Sequence, residues 1–122
     1  MARRTIESPL NDGLLEYGKI QTLRDEKTSK KKGEAFQAQG ELFFNFVSIN
    51  AKFDALQVSS LSAVDIKVKC YFVKDLQKSH KIKIEDELFE IESMDPTRDR
   101  RYIFLFLRKV GQWNDGNHFQ TT

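Results

Sequence analysis

The residues able to do chemistry in this chain are few and scattered. His80 and His118 lie far apart, each among polar neighbours. Neither has a cysteine or carboxylate at a zinc-like spacing, and no CxxC or HExxH occurs. A serine nucleophile would need a G-x-S-x-G elbow, which is absent. Gly33 and Gly40 stand alone, so no G-x-G-x-x-G or phosphate loop can form around them. Glu85, Asp86, Glu87, Glu90 and Glu92 concentrate carboxylates of the kind hard cations use. The first three read as a turn, and Glu90 and Glu92 fall on the polar phase of a strand. The cluster therefore reads as a solvated edge whose acids face lysines and arginines on neighbouring strands. Residues 97–101, Thr-Arg-Asp-Arg-Arg, read as a charged turn. A nucleic-acid reader would need interleaved exposed aromatics or a recognition helix. This inventory predicts a protein that is not an enzyme, with no cofactor, no metal and no small-molecule substrate.

The elements around those residues follow from hydrophobic period. Residues 81–110 read as three strands of a β-meander. Ile82 and Ile84 alternate with lysines, Leu88, Phe89, Ile91 and Met94 resume the pattern, and 102–110 is almost wholly apolar. Asp95-Pro96 begins the second turn, because proline presets φ and aspartate can bond its own backbone. Residues 34–50 give the longest strand candidate. Phe36, Ala38, Gly40, Leu42, Phe44 and Phe46 share the apolar phase, and Gly40 marks a bulge or bend. Phe43, Val47 and Ile49 break the polar phase late, which predicts a far end covered on both sides. Val64, Ile66, Val68, Cys70 and Phe72 alternate cleanly with polar residues. Cys70 thus belongs to the core as a small hydrophobe. A weaker strand is expected over 17–24.

Between these strands lie segments without a period. Residues 50–62 read equally as a short helix or a long crossing loop, and structureless loops of that length are often functional. The lysine-rich stretch 27–33, K-T-S-K-K-K-G, reads as a solvated hairpin loop, with contact to a phosphate backbone or an acidic partner as the functional alternative. Residues 1–16 read as an N-terminal arm that orders against something else, or as a frayed end. Residues 111–122 read as an aperiodic C-terminal tail in which Trp113 and Phe119 are exposed aromatics suited to docking. The barrel domain is expected over 17–110. At 122 residues the chain fits one domain. A net charge of +2 is too near balance to predict nucleic-acid binding by itself. One cysteine excludes an internally disulfide-stapled scaffold. The sequence shows neither a leader pattern nor a long apolar run, which predicts a soluble protein of a reducing cytoplasm with no membrane partner. The sum is an all-β fold: a small antiparallel β-barrel of five or six strands, with a long loop between the second and third strands and flexible terminal arms.

The order of features resembles the head-completion proteins of long-tailed bacteriophages, also called head-tail joining, head-closure or stopper proteins. The resemblance covers about 17–110 and is most specific over 81–110. There the Ile82-Lys83-Ile84 strand, the acidic turn, Leu88-Phe89-Glu90-Ile91-Glu92-Ser93-Met94, a polar turn and the apolar last strand follow the family pattern. Lys69-Cys70-Tyr71 resembles the basic-aromatic end of the preceding strand. Phenylalanines stand where many members carry a tryptophan. The resemblance implies a virion protein of the head–tail interface, assembled in the host cytoplasm. It implies a homo-oligomeric ring of about six or twelve subunits. The ring would sit below the portal–adaptor proteins and above the tail terminator or tail proteins, with packaged double-stranded DNA in its channel. The loop that projects into the channel would correspond to 50–62, with Lys52, Phe53, Asp54, Leu56, Gln57 and Val58 as plug residues. Arg3, Arg4, Lys30, Lys31, Lys32, Trp113 and Phe119 are the expected subunit or partner contacts. A tail terminator ring and an oligonucleotide-binding barrel, with 27–32 and 43–46 as its site, are the alternatives.

Overall fold

The computed structural model describes residues 10–24, 27, 31–50, 54–55, 61–114 and 118–120. Among the described residues seven strands follow one another: β1 (Gly13–Arg24), β2 (Lys31–Val47), β3 (Ile66–Tyr71), β4 (Lys81–Ile84), β5 (Glu87–Pro96), β6 (Tyr102–Asn114) and β7 (His118–Gln120). All pairings are antiparallel. The sheet runs β3-β2-β1-β4-β5-β6, and a β3–β6 ladder closes it into a six-stranded ring. The expected all-β barrel is the observed fold, and the long connection does fall between β2 and β3.

The core follows the period-two pattern. Leu15 and Tyr17 of β1, Leu42 and Phe44 of β2, Val68 and Cys70 of β3, Ile82 and Ile84 of β4, and Ile103, Leu105 and Leu107 of β6 all point inward. The meander of residues 81–110 is present as read. Its first turn is closed by Ile84 opposite Glu87, with Glu85 in the left-handed region at φ 55°. Gly40 does mark a bulge: Tyr17 pairs with Gly40 but Gly18 pairs with Ala38, leaving one extra residue in β2. The reason for glycine is steric. A Cβ on Gly40 would stand 2.5 Å from the Tyr17 hydroxyl, and one on Gly18 would stand 2.0 Å from the Gln37 carbonyl oxygen.

Three boundaries differ from expectation. The barrel begins before residue 17: Leu10 is buried, and the Asn11 and Asp12 backbone amides donate to the Asn45 side-chain oxygen. Within the expected aperiodic tail of 111–122, the described residues are in strands. β6 runs on to Asn114, and β7 pairs back on it with Trp113 opposite Phe119. A strand this short leaves too few residues for a period to show, while the Asp and Gly between the strands are turn formers. Finally, the far end of β2 is uncovered. Phe43 is 53% and Phe46 55% exposed, and Ile49 is exposed as well.

Candidate functional site

Two unlike surfaces stand at opposite ends of the barrel. The first is an open mouth where β1, β3 and β5 begin and β2 and β4 end. Phe46 keeps the inward phase, T-stacked on Phe44 at 5.0 Å, but it lies at the rim. Below it, Ile66, Ile84 and Phe89 line a depression of about 370 Å³. An adjoining one of about 400 Å³ is lined by Asp12, Gly13, Leu14, Phe44, Phe46, Ile84, Glu85 and Glu87. On the outer wall beside it, Leu14 and Phe43 face each other across β1 and β2, both exposed. Glu16 and Glu41 form the next outward pair. The rim is ordered by its acids: the Phe46 amide donates to Asp12 at 2.8 Å, and the Lys109 amide to Asp65 at 2.6 Å. The result is an apolar patch edged by carboxylates.

The second surface is a projecting β-hairpin. β4 pairs with β1 only as far as Gly18, and β3 pairs with β2 only from Phe44 onward. Residues 19–24 and 31–37 pair with each other beyond the barrel, from Lys19 opposite Gln37 to Arg24 opposite Lys31. At ~3.3 Å per residue the arm reaches about 20 Å past Gly18. Between Lys19 and Glu34 the sequence carries six cations and three acids, so the arm is basic where the mouth is acidic. Of the expected hairpin loop of residues 27–33, residues 31–33 belong to β2. Lys31 and Lys32 lie in β2, while Lys30 falls outside the described residues.

The crossing segment is strapped to the barrel wall. Asn50 and Asp54 bond each other reciprocally: the Asp54 amide donates to the Asn50 carbonyl at 2.8 Å, and the Asn50 amide to Asp54 Oδ2 at 2.7 Å. Asp54 Oδ1 accepts from Lys67 Nζ of β3 at 2.9 Å, and Asp54 is only 6% exposed. Burial alone would raise its carboxyl pKa, but the Asn50 amide and the Lys67 ammonium outweigh that and hold it below the usual range. Lys67 also lies 5.0 Å from the Phe104 ring and 5.1 Å from Phe106. Farther along, Leu61 and Val64 pack on Phe104 and Phe106, so the outward-facing Phe106 is fully buried. Asp54, expected as a plug charge, is therefore anchored on the outer wall. Lys52, Phe53, Leu56, Gln57 and Val58 lie outside the described residues, as do Arg3 and Arg4. For Trp113 and Phe119 the backbone register is the whole of what is described.

No arrangement of reactive groups emerges among the described residues, and no cluster of potential ligands could hold a metal ion. Cys70 is buried and its thiol is pushed up to about 12 by burial, so it stays protonated. His80 lies among polar neighbours in sequence but is 2% exposed. Its Nδ1 accepts the Gln77 amide at 3.0 Å, and its ring lies 5.5 Å from Tyr17. Tyr17 in turn reaches Asp75 at 3.3 Å. These contacts pin the β3–β4 connector onto the barrel; they line neither mouth depression. The Ser79-His80-Lys81 context hid this role, because a histidine between polar residues gives no apolar signal.

No family model matches the chain, and no curated protein matches it. Among solved structures, the solution structure of protein SF1141 from Shigella flexneri 2a is similar, with a TM-score of 0.56 at 15% identity. The match covers 81% of this chain and 92% of that one. At that identity the likeness is one of fold.

Proposed function

We propose that this chain is a ring-forming connector of the head-completion type, seated below a portal–adaptor complex, closing the DNA channel after packaging and offering a docking surface to the tail. The observation that carries this reading is the pair of unlike surfaces on one subunit: an acid-edged apolar mouth and a basic projecting arm. Self-complementary patches favour two-fold dimers, whereas unlike complementary patches drive head-to-tail contacts that close into rings. Opposite charge on the two surfaces would speed and orient that contact. The meander that carries the family resemblance, residues 81–110, forms half of the barrel wall and supports the same reading. Channel closure falls to the crossing segment between its anchors at Asp54 and Leu61, with Leu56, Gln57 and Val58 as the proposed channel-facing residues.

The test has two parts. Sedimentation velocity should show a salt-sensitive ring, lost on Phe43→Glu with the monomer still folded by circular dichroism. Electron microscopy of particles assembled without the protein should show filled heads that lose DNA and carry no tails. Normal virions in its absence would sink the proposal.

A further inference from the structure

A third surface lies where β3 ends and β6 begins, at the end of the barrel away from the mouth. Tyr71 is opposite Tyr102, and their rings stack 5.6 Å apart at 25°. Tyr71 is 45% exposed. Lys69 Nζ lies 4.2 Å from the centre of the Tyr102 ring. Next to it, Phe72 donates its amide to the Arg101 carbonyl, and the Arg100 guanidinium lies 5.7 Å from the Phe72 ring. Arg100 is held there by a tight turn: its amide donates to the Thr97 carbonyl, and its φ is 60°. Asp99 is occupied within that turn, accepting from the Thr97 hydroxyl and the Arg101 amide.

Part of the positive charge on the wall is paired with acids, and part of it, Lys83 included, is not. Lys67, Lys81, Arg108 and Lys109 each meet a carboxylate. Among the described residues, Lys69, Arg98 and Arg100 meet none, and Lys69 and Arg100 lie against aromatic rings instead. Cations left without acids beside an exposed stacked aromatic match a ligand that is polyanionic and planar at once. Aromatic faces accept any unstacked base, while lysine and arginine track the phosphates. The mouth lacks this combination, because its exposed phenylalanines sit among acids.

We infer that this corner, Tyr71 with Lys69, Arg98 and Arg100, binds single-stranded nucleic acid, one base stacking on Tyr71 and the flanking phosphates meeting the three cations. The inference does not depend on ring assembly, since one subunit holds the whole site. A single strand fits better than a duplex because a paired base cannot reach the tyrosine face.

Fluorescence anisotropy with a labelled oligothymidine, in low salt and across a salt series, tests it. Tyr71→Ala should weaken binding roughly 5-fold to 150-fold, the range for one lost base–aromatic stack, and Tyr71→Phe should retain it. Arg98→Ala and Arg100→Asn should each reduce the slope of log affinity against log salt by about 0.7. Asparagine tolerates the left-handed backbone at residue 100, so the turn survives. Lys83→Ala, on β4 across the barrel, removes the same charge and should change little. Absence of binding at low salt would overturn the inference. So would equal affinity for duplex and single strand with no effect of Tyr71→Ala.

Discussion

Replacing Asp54 with alanine tests whether the crossing segment is strapped to the barrel wall. The change deletes the acceptor of the Asn50 amide and the partner of Lys67 in one step. Breaking a deeply buried pair by removing one partner costs about 3–5 kcal/mol. Here the cost should be smaller. Lys67 keeps its contacts with the Phe104 and Phe106 rings, worth roughly 0.5–2 kcal/mol. The Lys67 side chain is also 13% exposed, so water can reach the freed ammonium. A loss of about 2 kcal/mol is the expected balance, roughly 1 kcal/mol from the amide and the remainder from the ion pair. Asp54→Asn should cost about half as much, because its carbonyl oxygen still accepts from Asn50. Urea unfolding monitored by circular dichroism measures both, and a cycle with Lys67→Met isolates the coupling, expected near 1 kcal/mol. The pH dependence carries a sign. The folded-state carboxyl pKa is depressed, so the ion-pair contribution is present above the unfolded value of about 3.9 and is lost as pH falls through the folded one. The gap between wild type and Asp54→Asn should therefore close in strong acid. A loss below about 0.5 kcal/mol for Asp54→Ala, with no coupling to Lys67, would refute the strap.

Other perturbations follow from the same geometry. Gly18→Ala should cost about 3 kcal/mol or more in urea unfolding, because its Cβ meets the fixed Gln37 carbonyl, and Gly40→Ala about 1–3 kcal/mol through displacement of the Tyr17 ring. His80 has its pKa lowered by burial, so wild-type stability should fall as pH drops below about 6.5 and through the depressed folded-state value. Thermal melts of His80→Gln should lose that pH dependence. Glu85→Gly should raise stability by up to about 1 kcal/mol in the same assay, since glycine removes the left-handed strain at φ 55°.

The local parts of the fold were legible and the closures were not. The meander at 81–110 and the alternation from Val64 to Phe72 each specify themselves within a few residues, through period two and turn formers. Phe46 shows the limit. It shares the phase of Phe44, but period reports only which face a side chain takes, and β4 ends too early to cover the rim. Phe106 is the converse, an outward residue buried because a strap from a distant segment crosses it. The basic turn at 97–101 looked ordinary for the same reason. Its aromatic neighbours, Tyr71 and Phe72, arrive through the β3–β6 ladder that closes the ring, a pairing no local pattern announces. The buried roles of Asp54 and His80 are not legible in the sequence because a buried polar residue is defined by its partner, and both partners are conferred by folding.

The overhang of β1 and β2 carries one more consequence. A closed barrel has no free backbone edge, but this arm has two, one along residues 19–24 and one along 31–37, with no third strand in ladder on either among the described residues. Such edges are templates for sheet extension and, in a crowded solution, for uncontrolled fibre growth. Lysines crowd the end of the arm, where a second arm would have to align in register against like charge. Like charge at that end opposes in-register pairing of two arms and so limits open-ended stacking.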